Sequence, residues 1–373
     1  LGTIIFVEKV KMYKNGQWEV IMKRICKKVL ALSMIAALSI AAIGCGSKDT
    51  GTTAAADTTK SADASQADGT KAADGSYSMT FIMPTRNEFN TSMEDGMMTY
   101  CKENGISLTS QDANQDSSKL IQYVETAKNA GDDAVIILPI DSETIPQIVE
   151  AAGDMKVVIV NRPPADMSVF KDSVAFVGSK ESDAGKYQGE YVASVLKEKG
   201  ETVAKPIFLL GTVGAENTVA RTESAKQALA DAGLEVEVVN ELGAQWSRSE
   251  ALTKIQPLLT TSDYNCIIAN NDDMALGAVE ALTASGLDPK DVPVVGIDAT
   301  VDGIQGVEAG TLAMTVFQDA AGQGIGSVAA AVNMINGVEN VAEGTDYTVD
   351  ETNSNVVWIP FQPVTADNVA DYK

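Results

Sequence analysis

Histidine is absent from all 373 residues. That removes the side chain that most often serves as a general base near neutral pH and as a metal ligand. Its absence counts against hydrolase and metalloenzyme chemistry. Basic residues are also scarce: 28 Lys and Arg stand against 51 Asp and Glu, a formal net charge of −23. Nucleic acid is read by clustered Lys and Arg that neutralise phosphate, so no nucleic-acid partner is expected. There are 4 cysteines, Cys26, Cys45, Cys101 and Cys266, and none lies at a zinc or CxxC spacing. Cys101 and Cys266 read as buried small apolar residues rather than a disulfide. The apolar segment at residues 29–43 falls short of the ~20 residues a membrane-spanning helix needs.

What is present begins with an unusual N-terminus. Lys23, Arg24, Lys27 and Lys28 form a basic stretch after Met22 and before the apolar segment, the layout of an export signal. The signal ends in "AAIGC", which resembles a bacterial lipobox and implies cleavage before Cys45 and lipidation of its thiol. Residues 22–44 are therefore expected to be a lipoprotein signal peptide. Residues 1–21 are expected to be upstream read-through. "WEVIM" back-translates to GGGARGT ahead of the Met22 ATG, which looks like a ribosome-binding site read as codons. Residues 45–76 are, after Cys45, mostly Gly, Ser, Thr, Ala and Asp, with three Lys, one Gln and no large apolar side chain, a composition that cannot bury enough surface to fold. They read as a disordered tether.

From Tyr77 onward, short apolar runs alternate with helical patterns. Strands are expected at 78–85, 106–113, 133–140, 156–163 and 173–179. A second series follows at 205–212, 235–244, 264–271, 292–298 and 312–319, with a last strand at 355–364. Continuous apolar strands separated by helices indicate parallel sheets covered on both faces. The fold class is α/β: two doubly wound, Rossmann-like parallel-sheet domains. Chain crossings near 178–179, 318–319 and 351–353 would join them as a three-strand hinge. One lobe would comprise 77–179 plus 319–350, the other 180–318 plus 351–373.

Open parallel sheets bind ligands beyond the carboxyl ends of their strands. The side chains at those positions are Asn87, Phe89, Asn161, Arg162, Asn217, Arg221, Trp246, Asn271, Asp298 and Gln318. None is a nucleophile beside a base, so no catalytic residue is expected. Amides, guanidinium groups and carboxylates hold neighbouring hydroxyls in fixed geometry, and flat rings cover a C–H face. The set suits a neutral polyhydroxylated ligand, a sugar. In "IIANNDDMALGAVEAL" more polar residues follow the strand than a helix cap requires; Asn270 and Asp272 are the expected cap residues, leaving Asn271 for the ligand.

The segments "NRP", "VGSKESDAGKYQGEY", "VARTESA", "IIANNDDMALGAVEAL", "VVGIDAT" and "TVFQDA" occur in order. Together they resemble the periplasmic sugar-binding proteins of ABC transporters, type I periplasmic binding proteins of the ribose and galactose/glucose group. The tail "VVWIPFQPVTADNVADY" is similar to the galactose/glucose branch above all. The resemblance covers the chain from about Tyr77 to the end. It implies that Phe89 and Trp246 sandwich a sugar ring while Asn161, Arg221, Asn271 and Asp298 bond its oxygens. Arg162 stands where the galactose/glucose branch has Lys and the ribose branch has Arg. Asn87 and Asn217 stand where the galactose/glucose branch has aspartates, and Gln318 where it has Asn. "KEKGETVAK" lacks the spaced oxygens of that branch's calcium loop, so no metal and no cofactor are expected.

The resemblance further implies a monomer that captures a galactose/glucose-like aldose by hinge closure, outside the cytoplasm and anchored to the cell membrane through Cys45. Its partners would be the sugar and ABC permease subunits. Presentation of the bound sugar to a membrane receptor is the alternative. A sugar-responsive repressor would need a helix-turn-helix before residue 77, where a signal and tether stand instead. An enzyme acting on a sugar would need an acid–base pair that these strand ends lack.

Overall fold

The computed structural model describes residues 76–373 apart from Ala165. The expected read-through segment, signal peptide, tether up to residue 75 and lipidation at Cys45 lie outside the described residues. No helix among the described residues is long and apolar enough to cross a membrane.

Two sheets organise the described residues. The first contains β1 (Ser78–Met83), β2 (Ser107–Asp112), β3 (Ala134–Ile137), β4 (Lys156–Val160) and β5 (Val174–Gly178). Two late strands, β13 (Thr348–Val349) and β14 (Val356–Trp358), extend it in the order β13-β14-β5-β4-β3-β1-β2. All its pairings are parallel except β13 with β14. The second sheet is built from β7 (Pro206–Leu210), β9 (Asn240–Gly243), β10 (Cys266–Ala269), β11 (Val294–Val295), β12 (Met314–Phe317) and β15 (Gln362–Thr365). Its order is β15-β12-β11-β10-β7-β9, with only β15 antiparallel. A small ladder pairs β6 (Val203–Ala204) with β8 (Glu235–Val236).

Every residue of β3, β7 and β10 is buried, because helices cover both faces of each sheet. Each sheet consequently has two apolar cores, one per face. Among the described residues nine α-helices connect the strands: α1 (Glu88–Asn104), α2 (Ser117–Ala130), α3 (Ile145–Ala152), α4 (Glu181–Glu198), α5 (Glu216–Asp231), α6 (Arg248–Ile255), α7 (Asp272–Ala284), α8 (Val301–Ala309) and α9 (Ala320–Ile335). Their starts are chemically marked. Asn87 caps α1, Asp116 caps α2, Ser247 caps α6, Asn271 caps α7 and Thr300 caps α8, each accepting a bond from a free helical N–H.

The structure corrects the expected path of the tail. The run 355–364 is two strands rather than one: β14 lengthens the first sheet and β15 pairs with β12 in the second. The third crossing therefore falls at residues 359–361, not 351–353. Ile359 lies in a core of the first sheet and Phe361 in a core of the second, two residues apart. The sequence hid the switch because apolar side chains serve both cores and no polar break separates them. The segment 235–244 is also divided, with β8 and β9 in different sheets.

Candidate functional site

The carboxyl ends of strands from both sheets open into one cavity of about 600 Å³. All ten side chains expected at the ligand line it: Asn87, Phe89, Asn161, Arg162, Asn217, Arg221, Trp246, Asn271, Asp298 and Gln318. Asn87 and Phe89 come from the start of α1, Asn161 and Arg162 from the end of β4. Asn217 and Arg221 are on α5, Trp246 follows β9, Asn271 follows β10, and Asp298 and Gln318 end the β11–β12 region.

Several of these residues hold backbone conformations that only glycine adopts freely. Asn161 has φ 68°, Trp246 φ 62° and Asp298 φ 118°. Positive φ in a side-chain-bearing residue costs roughly 1–3 kcal/mol and persists where surrounding structure enforces it. Here it turns each side chain from the strand line toward the cavity. Gln115 (φ 59°) and Gln245 (φ 52°) share the conformation and also line the cavity.

Arg221 is the most constrained group. Its Nε donates to Glu181 at 2.5 Å, one terminal nitrogen donates to the Asn270 carbonyl at 2.6 Å, and the other to Gln318 Oε1 at 3.1 Å. The guanidinium lies 5.6 Å over the Trp246 ring. Trp246 packs on a core of the second sheet, and its Nε1 donates to Thr212 Oγ1 at 3.1 Å. The ring rests on Gly211, where any Cβ would come within 2.1 Å of it. Trp246 thus belongs to the core on one side and to the cavity on the other.

Arg162 is held by the carbonyls of Pro139, at 3.0 Å, and Ile140. Its buried Nε has no partner. Burial pulls its pKa below the usual guanidinium value, against the attraction of Glu181. Asn161 donates to Gln323 at 3.0 Å. Asp298 is nearly enclosed, and its carboxylate accepts no hydrogen bond among the described residues. Burial holds its pKa well above the ordinary carboxylate value, with Arg221 pulling the other way and Asp272 adding repulsion. The site therefore presents an unpartnered acceptor near the Arg221 guanidinium, with Arg162 also on the cavity wall and Phe89 and Trp246 supplying flat apolar surface.

The cap expected of Asn270 or Asp272 falls to Asn271, which lines the cavity as expected. Asn271 is the cap of α7: its Oδ1 accepts from Met274 N at 3.0 Å, while its Nδ2 donates to the Trp246 carbonyl at 3.4 Å. Asn270 instead accepts from Gly211 N at 3.1 Å and donates to Thr222 at 3.2 Å, tying β10 to β7 and α5. Asp272 accepts from Thr315 Oγ1 at 2.6 Å and Thr300 N at 2.9 Å, and burial raises its pKa to about 7. An extended residue just before a helix points its side chain back over the helix end, so Asn271 both caps and lines the cavity.

Asn90, Gln115 and Gln245 line the cavity without having been singled out in the sequence. Gln115 sits in "ANQD", which reads as an ordinary turn. Glu181, behind Arg221, reads as a favourable acid in the first turn of a helix. Nothing local distinguished either one.

A two-lobed protein with one ligand cavity between its sheets is the class this geometry defines. A model of the periplasmic binding protein domain matches residues 79–339, and the chain belongs to that family. It is 32% identical over 292 residues to a candidate rhizopine-binding protein of Rhizobium meliloti, covering 77% of this chain and 89% of that one. It is 29% identical over 280 residues to a D-galactose/methyl-galactoside-binding periplasmic protein of Haemophilus influenzae, covering 72% and 82%. Among solved structures, an ABC transporter solute-binding protein from Bacillus halodurans with bound myo-inositol superposes with a TM-score of 0.69. It is 32% identical, and the match covers 81% of this chain and 99% of that one. The chain is thus similar over most of its described residues to sugar-binding, extracytoplasmic components of ABC transporters.

Proposed function

We propose that this protein captures a neutral six-membered polyhydroxylated ring between its lobes and delivers it to an ABC permease, without transforming it. The observation that carries this reading is the Asp298 carboxylate, an acceptor without a partner, near Arg221 in a cavity that Arg162, Phe89 and Trp246 also line. Ring hydroxyls would donate to Asp298 and accept from the guanidinium groups, and the ring's C–H faces would lie against the aromatic surfaces. Two ligand types fit. A galactose/glucose-like aldose is the one the sequence resemblance implies. A cyclitol such as myo-inositol is favoured by the likeness to the Bacillus halodurans protein and by the amides Asn87 and Asn217, which donate as well as accept.

Hydrogen bonds cross between the lobes at the cleft. Glu88 accepts from Val301 N at 2.7 Å, and Ser142 Oγ donates to Glu216 at 3.0 Å. Entry of a ligand requires such contacts to part, so capture proceeds by hinge opening and closure, with binding energy favouring the closed form. The protein acts as a monomer.

A thermal-shift screen of D-galactose, D-glucose, methyl galactosides, pentoses and inositols tests the function. A ligand at 100 times its Kd stabilises by about 2.7 kcal/mol. The ligand found should also lower the radius of gyration in solution scattering and be recovered unchanged. No stabilisation by any ring polyol would refute the reading, and chemical turnover would replace it with an enzyme.

The anchor belongs to the same proposal. Gly44-Cys45 after the apolar segment supports lipidation and an extracytoplasmic, membrane-tethered location. Cys45→Ala should release the protein from membranes or leave it unprocessed. Membrane retention at unchanged mass would remove the lipid from the account. Presentation of the sugar to a membrane receptor is compatible with every one of these features.

A further inference from the structure

Glu181 is the first residue of α4, buried, and points at the back of Arg221 rather than into the cavity. We propose that Glu181 is a positioning and specificity-determining residue. It orients the Arg221 guanidinium and balances its charge, so that the cleft accepts neutral rings and rejects anionic ones. The proposal rests on the sugar-binding reading and adds a ligand class to it.

Orientation comes from donor use. A guanidinium has five N–H donors in a fixed plane. Glu181, the Asn270 carbonyl and Gln318 take one donor on each of its three nitrogens. The plane is then fixed, and the remaining donors belong to the cavity side, which Arg221 lines. Glu181 is the only carboxylate paired with Arg221 among the described residues.

Selectivity comes from charge. Arg162 is held by carbonyl oxygens alone, so neither of its contacts neutralises it. Of the guanidinium groups lining the cavity, Arg248 is paired with Asp273, Glu280 and Asp302; Arg221 and Arg162 stand against Glu181 behind the wall and Asp298 within it. Asp272, next along, is occupied by Thr300 and Thr315. A neutral ring leaves this balance intact. A sugar acid would bring an unmatched negative charge into a water-poor site beside Asp298, which is costly. With the charge of Glu181 gone, a guanidinium would be left unmatched, and a ligand carboxylate could pair with it.

The test uses the full-length protein and compares the tightest neutral ligand among D-glucose, D-galactose and myo-inositol with D-glucuronate and D-galacturonate, by calorimetry. Wild type should bind the neutral ligand at least 100-fold more tightly than either uronate. Comparable affinities would overturn the proposal without any variant. Glu181→Gln keeps the shape and an acceptor but removes the charge. The neutral-to-uronate affinity ratio should fall at least tenfold. Glu181→Asp keeps the charge but withdraws it from Nε, so it should weaken neutral binding about tenfold while leaving that ratio within about threefold of wild type. A merely structural role would lower both affinities in parallel in Glu181→Gln, and that result would overturn the proposal. Wild type that binds none of the neutral rings would instead fail the sugar-binding reading itself.

Discussion

Asp298→Asn is expected to weaken ligand binding by about 100-fold or more while making the empty protein more stable. The loss follows from what the carboxylate offers. Hydrogen bonds to a charged group contribute about 1.5–3 kcal/mol each, and two lost bonds near the lower figure already amount to about 100-fold. An amide presents one acceptor where the carboxylate presents two, and turns a donor toward hydroxyls already donating to it.

The gain in stability follows from the direction of the Asp298 pKa. Burial raises it in the folded protein well above its ordinary value. Between the unfolded and folded values the folded protein holds a proton that the unfolded chain has released. Stability contributed by this group therefore falls as pH rises through that window, and is lowest above the folded value. Asn has no charge to desolvate and removes the penalty. Ligand hydroxyls favour the ionised carboxylate, so wild-type affinity should fall as pH drops through the raised value, and the variant should lose that pH dependence. Calorimetric titration and thermal melts without ligand check both halves. Binding within threefold of wild type would remove Asp298 from the site, and a lower melting temperature would mean that favourable contacts hold the carboxylate.

Gly185→Ala should be the most damaging small substitution in the second lobe. A Cβ there would stand 1.9 Å from the Arg221 carbonyl oxygen and 2.3 Å from Ser224 Oγ. Backbone cannot give way as a flexible side chain can, so α4 and α5 would have to separate. Overpacking of this kind costs about 3 kcal/mol, or a fall in melting temperature of about 6–12 °C. Ligand affinity should drop as well, because Arg221 is carried on the displaced turn. Gly286→Ala is the contrast: its Cβ would meet open space at φ 74°, so only the left-handed penalty of about 1 kcal/mol applies. Equal losses in the two variants would show that α4 and α5 can accommodate the methyl group.

Much of this architecture was legible in the chain. Uniformly apolar runs such as Ala134–Ile137 and Cys266–Ala269 are what strands buried on both faces require, and the polar residues that follow them mark the sheet's ligand-binding end. Planar polar and aromatic side chains collect at those ends for a chemical reason, so Phe89, Arg221, Trp246 and Asp298 could be picked out before any fold was known. That the same residues face one cavity is a matter of backbone geometry. The positive φ of Asn161, Trp246 and Asp298 turns the side chains inward, and no residue type announces it.

By itself, then, the sequence determined the α/β class and the strand ends that gather at one cavity, and it supplied the side chains on which the proposed neutral, hydroxyl-rich ligand rests, because periodicity and side-chain chemistry are local properties. Tertiary structure alone decided three other matters. It placed the last crossing between Ile359 and Phe361, because one apolar string can feed either core. It made Asn271 rather than Asn270 the cap, because the direction in which the chain leaves β10 determines which amide reaches back over α7. It set Glu181 behind Arg221, 40 residues away in sequence at 2.5 Å. A buried ion pair exists only once two helices have packed, and neither partner carries a sign of it alone.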